Sequence, residues 1–179
     1  MPVSEFEFRS ALSRFASGVS VVTTKDSGGN LHGITVSAFC SVSLTPPLVL
    51  ICIEKVTASH SAFKESNAFV VNVLSESQMH LSERFAAPSE DKFGDVEFRT
   101  GIENIPVLND TLASLECRLK HTFEGGDHSI FIGEVENVIV SDGEPLLYFQ
   151  GNYRKVSAIS SPSVKAGFSA RSTKNEMST

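Results

Sequence analysis

Apolar and polar positions change period along the chain, and each change marks an element. Ser4 and Glu7 stand at capping-box spacing, with Val3 and Phe8 at the flanking staple positions. Phe8, Leu12 and Phe15 then recur at helical intervals, and Gly18 is the predicted stop. From Val19 to Thr24 the residues are mostly β-branched, which predicts a strand. Asp26-Ser27-Gly28-Gly29-Asn30 predicts a turn. Gly33 to about Leu44 reads as one strand whose alternation falters at Ser37 and Ala38, and Pro46-Pro47 ends it. Leu48 to Ile53 is continuously apolar and predicts a central strand. Ala58 to Ser66 predicts a short helix, and Phe69 to Leu74 another strand.

Ser75 and Gln78 repeat the capping-box spacing, so a helix is expected from Ser75 to about Phe85. A loop is expected from Ala86 to about Val107. Leu112 to Phe123 and His128 to Val140 predict two long strands, joined as a hairpin through Gly125-Gly126-Asp127. Pro145 to Phe149 predicts a last strand. Residues 1–156 read as one domain. From Ser157 the period is lost, and 157–179 is expected to be a flexible polar tail. Strands dominate without βαβ alternation. The predicted fold is mainly β, an antiparallel β-barrel with a few peripheral helices.

Charge and composition narrow the function. Asp and Glu outnumber Lys and Arg by 21 to 15, a net charge of −6, which argues against a nucleic-acid binder. The longest apolar run, Leu48 to Ile53, is far shorter than the roughly 20 residues that cross a bilayer. The acidic start Ser4-Glu5-Phe6-Glu7 does not resemble a secretory leader. Cys40, Cys52 and Cys117 are too scattered for a disulfide framework, so reduced thiols and a cytoplasmic location are expected.

Five histidines (His32, His60, His80, His121 and His128) show no metal-ligand spacing, and no metal site is expected. A GxSxG elbow, a P-loop and a GxGxxG turn are all missing from the sequence. One strand is unusual. Period two puts the hydroxyls of Thr35, Ser37, Ser41 and Ser43 on one face. Such a face is either an ordinary solvated surface or a rim of small groups that lets backbone amides approach a flat polar ligand.

Five segments together resemble the short-chain flavin reductase family. They are Phe15 to Thr24, His32 to Leu44, Pro46 to Ile53, Gly126 to Val135 and Pro145 to Tyr153, in the family's order and covering about residues 5–156. The resemblance implies an FMN-binding split barrel that works as a homodimer. It also implies the reductase component of a two-component flavin-dependent monooxygenase. Hydride would pass from NADH or NADPH to FMN or FAD, and reduced flavin would go to a separate monooxygenase. An oxidoreductase holding FMN tightly, or a flavin carrier without turnover, would share the fold.

Carried over residue by residue, the resemblance places Thr35, Val36, Ser37 and Ala38, with Ser41, Val42 and Ser43, along the isoalloxazine and ribityl chain. Ile53, Lys55 and Thr57, with Ser59, His60 and Ser61, would lie near the ribityl phosphate. The start of a helix there would offer N–H groups to an anion, and Lys55 a positive charge. Arg84, Phe85 and Ala86 form another flavin segment, although Phe85 reads equally as core. Lys92 is a weaker candidate for the phosphate. His128 falls beside the nicotinamide, where its role would be to position the donor, since the cofactors carry the hydride chemistry. Its plainer reading is a rim histidine tied to the turn. Tyr148, Gln150, Gly151, Asn152 and Tyr153 would complete the site near the dinucleotide. The family often has Arg where Gln150 stands, which leaves Arg154 as the nearby cation. Asp127 and Glu134 read as turn and strand-surface residues.

Overall fold

The computed structural model describes residues 3–89 and 91–158. The tail expected over 157–179 lies, apart from residues 157 and 158, outside the described residues. In chain order the elements are α1 (Glu5–Leu12), β1 (Ser17–Gly18), β2 (Ser20–Lys25), β3 (Leu31–Val36), β4 (Phe39–Leu44), β5 (Pro47–Glu54), α2 (His60–Glu65) and β6 (Ala68–Val73). They continue with α3 (Met79–Ala86), β7 (Phe98–Thr100), β8 (Pro106–Leu108), β9 (Ala113–Gly125), β10 (His128–Val140), β11 (Leu147–Phe149) and β12 (Asn152–Arg154).

Seven strands form one antiparallel sheet in the order β3-β2-β6-β9-β10-β5-β4. Its two edges, β3 and β4, are consecutive in the chain and separated only by Ser37 and Ala38. Three Cα–Cα steps reach about 11 Å at most. The sheet must therefore roll until its edges nearly meet. The edges do not pair with each other, so the cylinder stays open along one seam, as the expected split barrel requires.

Alternation along the strands sorts the core. Val22, Ile51, Phe69, Val71 and Phe131 fill the barrel. Val21, on the opposite face of β2, packs with Leu74, Leu81, Phe85 and Leu146 beneath α3. Gly133 faces Phe69 and Cys117 so closely that an added Cβ would fall 2.6 Å from the Phe69 ring.

Several sequence expectations are corrected. The stretch Gly33–Leu44 is two strands, broken where the small Ser37 and Ala38 interrupt the alternation. The expected loop 86–107 contains β7, a 3-10 turn at Ile102–Asn104 and the start of β8. The first helix stops at Leu12, well before Gly18, and buries none of its residues. Its capping box is present: Glu7 N donates to Ser4 Oγ at 3.2 Å, and Ser4 N donates to Glu7 Oε2 at 3.0 Å. The helix expected from Ser75 opens as a 3-10 turn, Glu76–Gln78, which leads into α3. Strand β12 was not expected. It pairs with β11 through Gln150 and Gly151, whose positive φ values of 51° and 75° suit a tight two-residue hairpin turn.

Candidate functional site

Strand β4 is the exposed lip of the seam. It pairs with β5 on one side only, and none of its six residues is buried. Ser41 faces Val49 and Ser43 faces Leu48, so Val42 is the extra residue of a bulge. The break at Ser37–Ala38 and this bulge overturn the single hydroxyl face expected for Thr35, Ser37, Ser41 and Ser43. What replaces it is a run of small, exposed residues with a free backbone edge: Ser37, Ala38, Ser41 and Val42 are open to solvent. Such an edge fits the rim of a flat ring system, because small side chains allow close approach and unpaired amides can read its edge.

Thr35 belongs to a different group. Its Oγ1 donates to Ser82 O on α3 at 2.6 Å. The Ser82 hydroxyl meets Tyr153 OH at 2.8 Å, and Tyr153 packs edge-on against Tyr148 at 5.5 Å. This chain joins β3, α3 and the β11–β12 hairpin. Gln150 N donates to Ser13 O at 3.0 Å, and Asn152 Nδ2 donates to Gln150 O at 2.8 Å, so the turn holds itself. Gly151 takes its positive φ with nothing within 4 Å of where a Cβ would stand.

Gly33 O is a second junction. Ser59 Oγ donates to it at 3.4 Å and Lys92 Nζ at 3.3 Å. The Phe85 ring lies flat enough against Gly33 that an added Cβ would fall 2.5 Å from it. Arg84 Nε donates to Lys92 O at 2.7 Å, and its guanidinium also bonds Gly94 O, pinning the segment after α3. Burial lowers the Lys92 pKa. Gly33, Ser82 and Ser129 escaped the sequence reading. A lone glycine in a strand pattern signals close approach and could have flagged Gly33; nothing local flags the two serines.

A third group lies at the β9–β10 turn. Lys55 Nζ pairs with Glu124 Oε2 at 2.5 Å and donates to Gly126 O at 2.6 Å. His128 Nδ1 and Asp127 Oδ1 lie 2.7 Å apart, a contact that holds the Asp127 carboxyl below its usual range. His60 Nε2 meets the fully buried Ser129 Oγ at 2.9 Å. Burial lowers the His60 pKa, and the Lys64 charge adds to this. Thr57 Oγ1 donates to Glu54 O at 2.8 Å. Helix α2 has only six residues, its N-cap Ser59 makes no capping bond, and Ser61 is exposed.

Three of the predicted residues have buried apolar side chains. Ile53 and Val36 point into the barrel, and Phe85 is fully buried beneath α3, which supports its core reading. Ala86 closes α3 and is exposed. Hollows of about 360 and 200 Å³ lie elsewhere, beside α3 and beside β8, and of the predicted residues only Arg84 lines either. Ser37, Ala38, Ser41 and Val42 thus form an open surface along the seam. The cysteines grade inward from it: Cys40 is exposed on β4, burial raises the Cys52 pKa, and burial pushes Cys117 up to about 12. No helix among the described residues is long and apolar enough to cross a membrane.

Residues 12–157 match the family described as flavin reductase like domain. A reductase component of 4-nitrophenol 4-monooxygenase/4-nitrocatechol 2-monooxygenase from Rhodococcus opacus is 39% identical over 152 residues, 85% of this chain and 81% of that protein. A probable flavin reductase from Rhizobium meliloti is 41% identical over 145 residues, 81% of this chain; the match spans only 47% of the relative's length. A structure of a Streptomyces globisporus NADH:FAD oxidoreductase with NAD and FAD fragments superposes with a TM-score of 0.83 at 35% identity, covering 90% of this chain and 98% of that one.

Proposed function

This chain belongs to the flavin reductase-like family, and on that premise we propose that it is an NAD(P)H:flavin oxidoreductase supplying reduced flavin to a separate monooxygenase in the cytoplasm. The observation that carries the reading is the open lip of β4, none of whose six residues is buried and which pairs along one edge among the described residues, within the matched span. Bound FMN or FAD would supply the chemistry by accepting a hydride from the reduced nicotinamide. The chain's own part is to bind and orient. The backbones of Ser37, Ala38, Ser41 and Ser43 border the ring. Ser59 and Ser61 lie toward the phosphate. Tyr148, Tyr153 and the Gln150–Asn152 turn wall the far side, and His128 seats the nicotinamide. An open surface suits a flavin that must leave after each turnover.

A second copy of the chain is part of the proposal. Helix α1 has no buried residue, and Phe6, Phe8, Leu12 and Phe15 are 81, 56, 56 and 77% exposed. Four large apolar side chains on one short segment are better covered than hydrated, and a homodimer would cover them. Light scattering on the purified chain should give twice 19.3 kDa; a monomer mass at micromolar concentration counts against the dimer.

The activity is checked by following nicotinamide absorbance with NADH or NADPH crossed against FMN, FAD and riboflavin. Flavin-dependent loss of absorbance is expected. Its absence with every pair overturns the reductase reading.

A further inference from the structure

Strand β12 leads to the rim of the larger hollow. Tyr153 OH meets Ser82 Oγ on α3 at 2.8 Å, and two residues on, Lys155 Nζ pairs with Glu76 Oε2 at 3.1 Å. Glu76 stands next to Ser77, which together with Leu81 and Val96 lines the hollow of about 360 Å³ beside α3. Asp95, Glu97 and Asp110 bring three carboxylates to the lining, against the imidazole of His80 and the guanidinium of Arg84. Arg84 is itself held by Lys92 O and Gly94 O. The lining is apolar in part and rich in carboxylates.

Residues 159–179 carry the opposite charge. Lys165, Arg171 and Lys174 stand against Glu176, a net +2 in a chain whose total is −6, so residues 1–158 carry −8. Phe168 lies midway between Lys165 and Arg171, three positions from each. An apolar ring between two cations is the complement of Leu81 and Val96 among carboxylates. The hollow is within reach. Lys165 is ten positions past Lys155, which at about 3.3 Å per extended residue spans roughly 33 Å. Helix α3, beside which the hollow lies, has eight residues and is only about 12 Å long. A segment tethered so close is present at roughly millimolar effective concentration, so a weak attraction is enough to seat it.

We propose that residues 165–171 dock in this hollow of their own chain, Phe168 toward Leu81 and Val96, and the two cations toward Asp95, Glu97 and Asp110. The contact stands independently of the flavin reading.

A carbodiimide joins a lysine ammonium to a carboxylate where the two touch. Applied to the full chain at low salt, it should link Lys165 to Asp95, Glu97 or Asp110 within the single-chain species of 19.3 kDa, as read by peptide mass spectrometry. Lys55 and Glu124, 2.5 Å apart, supply the internal standard. In 0.5 M NaCl, where charges are screened within about 4 Å, the Lys165 link should fall about fivefold or more. Trypsin gives a second reading. Cleavage after Lys165 and Arg171 tracks the undocked population, so it should quicken about fivefold or more in Asp95→Asn/Glu97→Gln/Asp110→Asn. Asp95 and Asp110 both take a φ of 57°, a conformation that Asn also tolerates, so the variant keeps its backbone. Lys165 linked only to carboxylates outside the hollow, or left unlinked while the Lys55–Glu124 link forms, overturns the proposal. Equal trypsin rates in wild type and variant do the same. A link to the hollow found only at twice the mass would give the hollow to a second copy, which also overturns docking within one chain. If the variant does not fold, wild type still decides through the Lys165 link and its loss in salt.

Discussion

Strands β2 and β4 belong to one sheet and live by opposite rules. Five of the six residues of β2 are buried, as are five of the six in its neighbour β6, while β4 buries none. The inner wall nevertheless holds polar groups: Ser20, Thr23, Thr24 and Asn72 are all buried. Each is committed. Asn72 Nδ2 donates to Val21 O at 3.1 Å and to Thr23 Oγ1 at 3.3 Å, and its Oδ1 accepts from Leu108 N at 3.0 Å and Ser114 Oγ at 3.2 Å. Thr23 Oγ1 donates on to Pro106 O at 2.5 Å. The network pins β8 to the sheet and fixes register. On β4 the bonds are local: Ser43 Oγ accepts from Thr45 N at 3.2 Å and Cys40 Sγ donates to Ser41 O at 3.1 Å, so none ties the lip to another element. Polarity inside the wall stabilises the fold; polarity on the lip is, in the function proposed above, for binding.

The largest test of that contrast is Asn72→Ala set against Ser41→Ala. Removing Asn72 leaves buried donors unmet and should cost about 3 kcal/mol, lowering Tm by about 6–12 °C for a chain this size. Ser41→Ala should stay within about 0.5 kcal/mol and show its effect only in flavin titration. Similar Tm losses in both variants would erase the distinction. Gly33→Ala falls between the two regions. Its Cβ would meet the fully buried Phe85 ring at 2.5 Å, so about 1–3 kcal/mol of strain is expected. Because Gly33 O anchors Ser59 and Lys92, flavin affinity should drop in the same variant. Loss of stability with unchanged flavin binding would detach Gly33 from the site.

The smallest expected effect is on pH. Burial, with the charges of Lys64 and Lys55, lowers the His60 pKa in the folded state. The unfolded chain then binds the proton better, so the contribution of His60 is present above about pH 6.5 and is lost as pH falls through that value toward the folded pKa. Wild type should lose more Tm between pH 7.5 and 5.5 than His60→Gln does. Parallel curves would show that the contact with Ser129 tolerates the charge.

Local signals told most about local structure. Both capping boxes and the Gly125–Asp127 hairpin turn were legible because the residues that make them lie within a few positions of each other. The strand break at Ser37–Ala38 showed only as faltering alternation; that it is the seam depends on the far strands closing the sheet. Strands β7 and β8 were hidden because each is three residues long and is held by distant partners, Glu116 on Arg99 and Asn72 on Leu108. The Lys55–Glu124 pair spans 69 positions and leaves no trace in the pattern at either end. The apolar spacing of α1 predicted a helix and left open what covers its stripe, because period reports an apolar stripe and not its partner.

The inward grading of the three thiols gives the lip a chemical handle. Thiolate, not thiol, attacks an electrophile. At mildly alkaline pH, Cys117, with its pKa near 12 and no exposed surface, is inert, and burial holds Cys52 back as well. A single equivalent of maleimide dye should therefore mark Cys40 on β4. The unaltered protein thus carries its own attachment point for a fluorophore beside the seam, from which arrival and departure of a ligand can be watched in real time.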